Sequence, residues 1–445
     1  MPPLSNPDQG RSQVIWLLFA AAVVVIARAL FVYKYGRDIP FWDQWDAEAW
    51  SLYRPWLLGE LKTGDLFAPH NEHRITTTRL WSLLIFESNA REWSPKLEMY
   101  WNVGLCGFLA WVSTKFLTAS LSTTRVKFFL VATVFFWSGP FAWENTLSGF
   151  QAQFYWMAIF SLTAVYFGVM SDKWLQISFS LILCVFGFFS LSGGAMAPAT
   201  IVAARVFRSL LSRRINKRDL FILMIFSASA LIMVVSTPEV PGHAGLRAQS
   251  IHHLFLSLWN GLSWPLTPLS GLWVWFLPWC ILISLLFLRS LAETSLIKAD
   301  IVIVAIGGWA IAQILALAYG RSEWLLSSRY MDIYVIGLLA NVAAMLRAAD
   351  LVRPVINKLL WVWLLVLAAG ISPELSKSYL YAVERSGHYD AQIGRVNSYV
   401  CNGDAASLRD APYLHIPYPD WGRLKMMLDD QVIRGFLPKS LISCH

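Results

Sequence analysis

Charged residues are scarce in this sequence. Asp, Glu, Lys and Arg make up 14% of the 445 residues, whereas about a quarter of the residues in soluble domains are charged. Hydrophobic residues make up 56%, and the mean hydropathy is +0.50. This composition excludes an ordinary soluble domain and predicts a chain whose main solvent is lipid.

Features that would point to nucleotides or nucleic acids are also lacking. No Gly-rich phosphate-binding loop stands out, and there is no internal repeat or low-complexity run. The net charge is +8, but the basic residues gather in short loops between apolar runs instead of forming one basic surface. The sequence therefore predicts no nucleic-acid partner.

Long apolar runs are abundant, and a membrane-spanning helix needs about 20 mostly apolar residues. We therefore predict an all-α polytopic membrane protein with a bundle over residues 1–371 and a small outer segment over 372–445. The eleven predicted spans lie near 13–32, 97–119, 126–138, 152–170, 174–190, 195–211, 219–235, 270–288, 300–318, 331–346 and 359–371.

Basic loops set the predicted orientation. The densest cluster lies between 205 and 218, and cytoplasmic loops carry an excess of Lys and Arg. Counting spans from it predicts a cytoplasmic N-terminus and an outer C-terminus. The Arg125/Lys127, Arg289/Lys298 and Arg347/Arg353/Lys358 loops then also lie in the cytoplasm.

Cysteine is rare, with five residues in the chain. Cys106, Cys184 and Cys280 lie inside apolar runs, where a thiol packs as a small hydrophobe. Cys401 and Cys444 both fall in the segment predicted to face an oxidising outer compartment, so we predict that they form a disulfide.

The first outer loop, residues 33–96, is too polar to span a membrane and rich in aromatic residues. Apolar residues recur at helical spacing over 47–60 and 75–87, with charged residues between them. This pattern predicts two helices lying along the membrane interface.

Three carboxylates stand close together at the start of that loop: Asp43, Asp46 and Glu48. Mutual repulsion and partial desolvation beside Trp residues should raise the pKa of at least one of them, as a general base requires. The structural alternative makes Asp46 the cap of a helix that starts at Ala47, and leaves Asp43 with a structural role.

A second polar motif is His70-Asn-Glu-His-Arg74. His70, Glu72 and His73 could hold a divalent cation. Alternatively, Arg74 and a histidine bind a phosphate oxygen, or the motif forms a structural hydrogen-bond network.

Two further outer segments carry polar residues beside apolar spans. Glu144, Asn145 and Gln151 would be costly if they faced lipid, so we expect them to face a cavity or one another. Near 320–332, Arg329 and Asp332 need partners, which are either each other or a ligand phosphate. The candidate ligand-binding residues of this segment are Arg321, Arg329 and Tyr330.

With these motifs in place, the chain resembles the GT-C superfamily of membrane glycosyltransferases, which use polyprenyl-phosphate-linked sugars. The resemblance lies in Asp43-Gln-Trp-Asp46 directly after the first span and in the long outer loop with two interfacial helices. The 70–74 motif, Glu144-Asn145, 149–151 and Ser328-Arg329-Tyr330 also resemble a group of uncharacterised bacterial membrane proteins placed near that superfamily.

The resemblance implies that Asp43, or else Asp46, is the catalytic base that deprotonates an acceptor hydroxyl. Arg74 and Arg329 would neutralise the leaving phosphate, and the 70–73 side chains would line the pocket. The spacing Asp-x-x-Asp departs from the adjacent or one-spaced acids of several GT-C families, so which Asp is the base stays open. No cofactor is implied with certainty.

The predicted function is transfer of a sugar from a polyprenyl-phosphate donor to an envelope glycan, lipid or protein acceptor at the outer face of a bacterial inner membrane. The main alternative is a transporter or flippase for a lipid-linked or polar solute. Transporters place charges near the midplane, often in two related halves, and neither feature stands out here. A structural or receptor protein would not need three clustered carboxylates.

Overall fold

The structure is a computed structural model that describes residues 7–292, 298–352 and 355–444. Over these ranges the chain is helical without strands, apart from an isolated backbone bridge between His70 and His73. Each predicted span overlaps one of eleven long helices. These are α1 (Pro7–Tyr35), α2 (Pro95–Leu117), α3 (Thr123–Ser138), α4 (Ala152–Met170), α5 (Trp174–Phe188), α6 (Met196–Ser212), α7 (Lys217–Val235), α8 (Pro268–Ala292), α9 (Lys298–Gly320), α10 (Met331–Leu351) and α11 (Val355–Asn402).

In the described part of the chain, nine helical segments are long and apolar enough to cross a membrane by length and composition. Helix α2 is not among them. Helix α5 is apolar, but its 15 residues are fewer than the 18 required for this set. The all-α polytopic architecture is therefore confirmed. The count of eleven spans stays a prediction.

Local sequence signals set several helix starts. Ser94 precedes α2, its hydroxyl accepts a hydrogen bond from the Leu97 N–H at 3.2 Å, and Pro95 occupies the first helical position. Asn216 caps α7 in the same way by accepting from the Asp219 N–H at 2.9 Å. Both helices therefore begin one residue after their capping side chain.

Helix α10 is the centre of the bundle. The apolar stretch of α10 is fully buried, as expected for a helix that is hydrophobic on every side. Helices α3, α8 and α9 pack around it. Polar residues at its outer end are consequently enclosed by protein and need partners there.

Helix α11 is much longer than the predicted span 359–371. Its 48 residues correspond to roughly 70 Å at about 1.5 Å per residue. A bilayer core is about 30 Å thick, so much of α11 extends beyond the membrane. Residue 371 lies inside this one continuous helix, and the division of the chain at 371/372 remains a prediction.

The outer loop and the C-terminal segment form a second hydrophobic cluster that includes Trp45, Trp93, Tyr389 and Phe436. The Trp93 N–H donates to the Phe436 carbonyl at 2.8 Å, which ties the two segments together. The loop helices are Trp45–Tyr53, Arg54–Leu57, Thr63–Leu66 and Thr76–Ser88, and the C-terminal ones are Ala406–Arg409, Trp421–Asp429, Gln431–Phe436 and Lys439–Ile442. The two helical stretches predicted in the outer loop are thus present.

The predicted disulfide between Cys401 and Cys444 is present, with the two Cα atoms 5.4 Å apart. It joins the end of α11 to the segment that follows the last short helix. The C-terminal segment is therefore closed into a loop that packs over the outer loop.

The basic loops meet at the opposite end of the bundle. Arg125 lies 3.5 Å from Asp350, and Lys298 lies 2.7 Å from Asp172. Arg208 links the same Asp172 to Asp219. These contacts join the loops that were predicted to share one side of the membrane. Of the residues used for that prediction, Arg353 lies outside the described residues.

Candidate functional site

A cavity of about 270 Å³ opens where the outer loop, the bundle and the extramembrane part of α11 meet. Three parts of the chain line it. They contribute Phe41, Trp42 and Asp43; Trp143, Glu144, Leu147, Ser148, Phe150, Gln151 and Arg329; and Tyr381, Glu384, Arg385, His388, Tyr389 and Leu414. The cavity therefore contains Asp43, Glu144, Gln151 and Arg329 of the predicted site.

Asp43 is positioned by an unusual backbone conformation. Trp42 has φ +48°, a backbone conformation that residues other than glycine rarely adopt. Its N–H donates to the Pro417 carbonyl at 2.7 Å, and its ring packs on Phe41 and Tyr413. The C-terminal segment thus stabilises the turn that presents Asp43 to the cavity.

The Asp43 side chain is 49% exposed, and His70 Nε2 lies 3.9 Å from its Oδ1. Enclosure by protein raises the pKa of this carboxyl, but His70 and the charge of Arg329 outweigh it, so the pKa is lowered from its ordinary value. Asp43 is therefore ionised at neutral pH. An ionised carboxylate can accept a proton from a hydroxyl held against it.

Glu48 lies beneath the cavity, not in it. It is buried, and Gln44 and Ser82 each donate a hydrogen bond to it at 2.8 Å. Gln44 also donates to Glu98 at 3.0 Å. Burial raises the pKa of the Glu48 carboxyl to about 7, against these hydrogen bonds. The prediction that one of the three carboxylates has a raised pKa is confirmed for Glu48, with burial as the main cause.

Asp46 contacts the C-terminal segment. Its carboxylate accepts from the Tyr418 hydroxyl at 2.5 Å and from Arg423 Nε at 2.8 Å. The helix begins at Trp45 with Gln44 at the capping position, so the structural alternative, in which Asp46 caps a helix starting at Ala47, is wrong. The reason is that Asp46 sits inside the first turn, where its side chain meets Arg423. Asp46 is not among the residues that line the cavity.

The 70–74 motif sends its side chains in different directions. His70 faces Asp43, whereas Glu72 accepts two hydrogen bonds from Arg321, at 3.0 and 2.7 Å, and contacts His243 at 2.6 Å. Burial raises the pKa of Glu72, but Arg321 and His243 outweigh it and bring the pKa to about 2. Arg321 is thus the partner of Glu72.

His73 and Arg74 have hydrogen-bond partners other than Asp43. His73 Nδ1 lies 3.0 Å from the Ser192 hydroxyl, and burial lowers the pKa of His73 to about 4. Because His70, Glu72 and His73 contact different partners, they do not converge on one point. In the described residues, no group of three or more His, Cys, Asp or Glu side chains could hold a metal ion.

Arg74 donates to the Ser236 carbonyl at 2.7 Å and borders a second, apolar groove of about 630 Å³ between α5 and α7. It does not line the cavity of Asp43 and Arg329. Arg74, which the resemblance pairs with Arg329 at the leaving phosphate, therefore borders a different groove from Arg329. The turn at Asn71, with φ +51°, carries the chain from one cavity to the other.

Glu144 and Arg329 form an ion pair at the cavity wall, with Arg329 Nη2 3.1 Å from Glu144 Oε1. Glu144 also accepts from the Ser327 and Ser328 hydroxyls and from the Arg329 N–H. Among the described residues, the Arg329 side chain makes one hydrogen bond, from Nη2 to Glu144, and its Nε is enclosed by protein without a partner. Glu144 is thus saturated with donors, whereas Arg329 is not saturated with acceptors.

Asp332 pairs with a residue that the sequence analysis did not single out. Arg28 of α1 lies 3.6 Å from Asp332 and also donates to the Trp137 carbonyl and the Thr146 hydroxyl. Asn145 donates to Asp332 at 2.9 Å and to the Arg329 carbonyl. Arg329 and Asp332 are therefore not each other's partners, and Asn145 joins their two networks.

Tyr330 is buried, packs edge-on against Phe154 and does not line the cavity. Conversely, Glu384, Arg385 and His388 do line it, and the sequence analysis missed them. They lie in the part of α11 beyond the predicted span, where no apolar run marks a helix. The spacing of Ala382, Arg385 and Tyr389 by three and four residues is the signal that could have placed them on one helical face.

The fold is similar to that of the archaeal oligosaccharyltransferase AglB from Archaeoglobus fulgidus, solved in complex with an inhibitory peptide and a dolichol-phosphate. The TM-score is 0.50 at 11% sequence identity, over 93% of this chain and 60% of that chain. The chain thus spans well under two thirds of that solved chain. No protein-family model matches the sequence, and no curated protein does. At this identity the likeness shows the fold alone.

Proposed function

We propose that the protein is a membrane glycosyltransferase that moves a sugar from a polyprenyl-phosphate donor to an envelope glycan, lipid or protein acceptor. The observation that carries the proposal is one cavity that holds both an ionised Asp43 and the guanidinium of Arg329. Sugar transfer from a lipid phosphate needs a proton acceptor and a cation on opposite sides of the anomeric carbon.

In the proposed reaction, the acceptor hydroxyl gives its proton to Asp43 as its oxygen bonds to the anomeric carbon. The bond between that carbon and the phosphate oxygen breaks, and its electron pair leaves with polyprenyl phosphate. Arg329 stabilises the charge that develops on the leaving phosphate. Glu144 holds Arg329 in place through its ion pair and through the backbone N–H at 3.1 Å. A preorganised cation costs little reorganisation during the reaction.

The similarity to AglB supports a lipid-linked donor, since that protein was solved with a dolichol-phosphate. We propose that the cavity faces the outer side of the membrane. The disulfide between Cys401 and Cys444 supports this orientation, because disulfides persist in oxidising compartments. The basic loops at the opposite end would then lie in the cytoplasm.

The experiment that tests the proposal compares envelope glycans in cells with and without the protein by mass spectrometry. We expect one sugar to disappear on deletion and to return with the wild-type chain. Asp43→Asn should fail to restore it. Asp410→Asn is the matched control, because Asp410 is an exposed carboxylate of the C-terminal segment outside the cavity. An unchanged glycan profile in the deletion strain would contradict the proposal.

A further inference from the structure

Arg385 is a buried cation in the cavity wall. Its residue exposure is 8%, and its guanidinium lies between two aromatic rings, 3.4 Å from the Phe41 centroid and 4.1 Å from the Tyr389 centroid. The two rings are nearly perpendicular to each other, at 85°, and contact the guanidinium from different sides. Its N–H donors are left to meet a partner.

Among the described residues, none forms a hydrogen bond or an ion pair with Arg385, although Glu384 and His388 line the same cavity. Its nitrogen atoms are not sealed off from the cavity either. A buried charge without a counter-ion is costly, so such an arrangement is unusual for a purely structural arginine.

The other buried arginines behave differently. Arg347 makes two hydrogen bonds to Asp300, at 2.7 and 3.0 Å, and Arg205 contacts both Asp172 and Asp219. Within the cavity, Arg329 is already paired with Glu144. Within the described part of the chain, Arg385 is thus a cavity cation without a carboxylate partner.

We propose that Arg385 is a phosphate-binding residue, supplied to the cavity by the extramembrane part of α11. A guanidinium matches two oxygens of a phosphate, and its contacts with the two rings hold it in place before the ligand binds. The identity of the phosphate as that of a polyprenyl-phosphate donor rests on the proposed function. Binding of a phosphate group by Arg385 does not.

A structural alternative is that Arg385 only packs Phe41, two residues before Asp43, against α11. Loss of packing would weaken binding of any ligand, charged or neutral. Loss of a phosphate contact would weaken binding of the phosphorylated ligand only. The two roles are therefore separated by a matched pair of probes, polyprenyl phosphate and the corresponding neutral polyprenol.

The experiment measures binding of both probes to the full-length chain in lipid nanodiscs, with Arg385→Gln, Arg385→Lys and the control Arg409→Gln. Arg409 is exposed and pairs with Asp410 outside the cavity. We expect Arg385→Gln to lose about 10-fold to 100-fold in affinity for polyprenyl phosphate, the range of a charged hydrogen bond. Polyprenol binding should not change, and Arg409→Gln should behave as wild type.

Folding of each variant is checked by the Cys401–Cys444 disulfide, read as a mobility shift on reduction. If Arg385→Gln does not fold, Arg385→Lys is used instead. Lysine keeps the positive charge but lacks the planar guanidinium that can bind two phosphate oxygens. This variant should bind polyprenyl phosphate more weakly than wild type does. Competition with inorganic phosphate separates a lipid headgroup from free phosphate as the source of the anion.

Unchanged affinity of a folded Arg385→Gln variant for polyprenyl phosphate would overturn the inference, as would an equal loss for polyprenol. If phosphate binding depends on Arg385 but no sugar is transferred, the inference stands and the proposed function fails. The two failures are therefore distinguishable.

Discussion

The basic-loop end of the bundle and the lining of the cavity use arginine in different ways. At the end that gathers the basic loops, Arg205 contacts two carboxylates at 3.3 Å each, and Arg347 is held by both oxygens of Asp300. In the cavity lining, Arg329 donates to Glu144 through one nitrogen, and Arg385 contacts aromatic rings without a carboxylate partner among the described residues. Arginines of the first kind join helices, whereas arginines of the second kind keep donors available for a ligand.

The difference has a physical consequence for mutation. A buried ion pair that loses one partner costs about 3–5 kcal/mol of stability, because the other charge remains buried. A cation without a carboxylate partner contributes little to the stability of the fold, and its substitution should mainly weaken ligand binding. Substitutions in the two regions should therefore separate stability from activity.

The largest expected effect is that of Asp43→Asn in the cavity lining. The amide keeps the shape of the side chain but cannot take the acceptor's proton, and loss of a general base lowers a rate by roughly 10² to 10⁴. Transfer is measured in membrane vesicles with a polyprenyl-phosphate sugar as donor. The melting temperature should stay close to that of the wild type. Transfer at more than half the wild-type rate would show that Asp43 is not the base.

The next effect tests the comparison directly, with one conservative substitution in each region. Arg329→Lys should lower the rate of sugar transfer about 10-fold to 100-fold. A lysine ammonium cannot replace a planar guanidinium that contacts Glu144 and a phosphate at the same time. Arg208→Lys should leave transfer unchanged, because a lysine can still pair with Asp172 and Asp219. Equal effects of the two substitutions on transfer would remove the distinction between the two regions.

A smaller effect concerns the pH dependence of stability. The folded-state pKa of Glu48, about 7, lies above its ordinary value of 4.5. Its contribution is therefore fully present below pH 4.5 and is lost as the pH rises through 7. Glu48→Gln does not titrate there, so its melting temperature should fall less than that of the wild type between pH 5 and pH 8.

The control for this experiment is Glu87→Gln, because Glu87 is an outer-loop carboxylate that contacts Trp56 and Arg91 instead of a buried network. It should keep the wild-type pH profile over this range. If Glu48→Gln also keeps that profile, burial of Glu48 does not limit stability at alkaline pH.

The smallest effect is expected for Asp46→Asn. The side chains of Asp46 and Arg423 are 32% and 41% exposed, and such pairs contribute about 0.2–1 kcal/mol. The amide oxygen can still accept from Tyr418. Transfer should stay within about twofold of the wild type. A loss as large as that of Asp43→Asn would move the role of base to Asp46.

The long helices could be predicted because the apolar runs mark them directly. Each predicted span overlaps a long helix, and the outer-loop helices and the disulfide were also predicted. The length of α11 could not be predicted, because beyond residue 371 its sequence is polar and lacks an apolar run. It was therefore assigned to a small extension.

The site was predicted in part, for a related reason. Local motifs identified Asp43, Glu144, Gln151 and Arg329, which line one cavity. They could not show that Arg74 lies beyond it, because a single turn at Asn71 redirects the chain. They also missed Arg28 and Arg385, whose contacts join segments that are more than 300 residues apart. Long-range partners of this kind are fixed by packing and not by local pattern.

The most direct test of the account measures the fate of a polyprenyl-phosphate sugar in proteoliposomes that contain the purified chain and an envelope extract as acceptor. We predict that each sugar transferred releases one polyprenyl phosphate, and that both products disappear with Asp43→Asn. Movement of the intact donor across the bilayer without cleavage of the sugar–phosphate bond would contradict the account and identify a transporter.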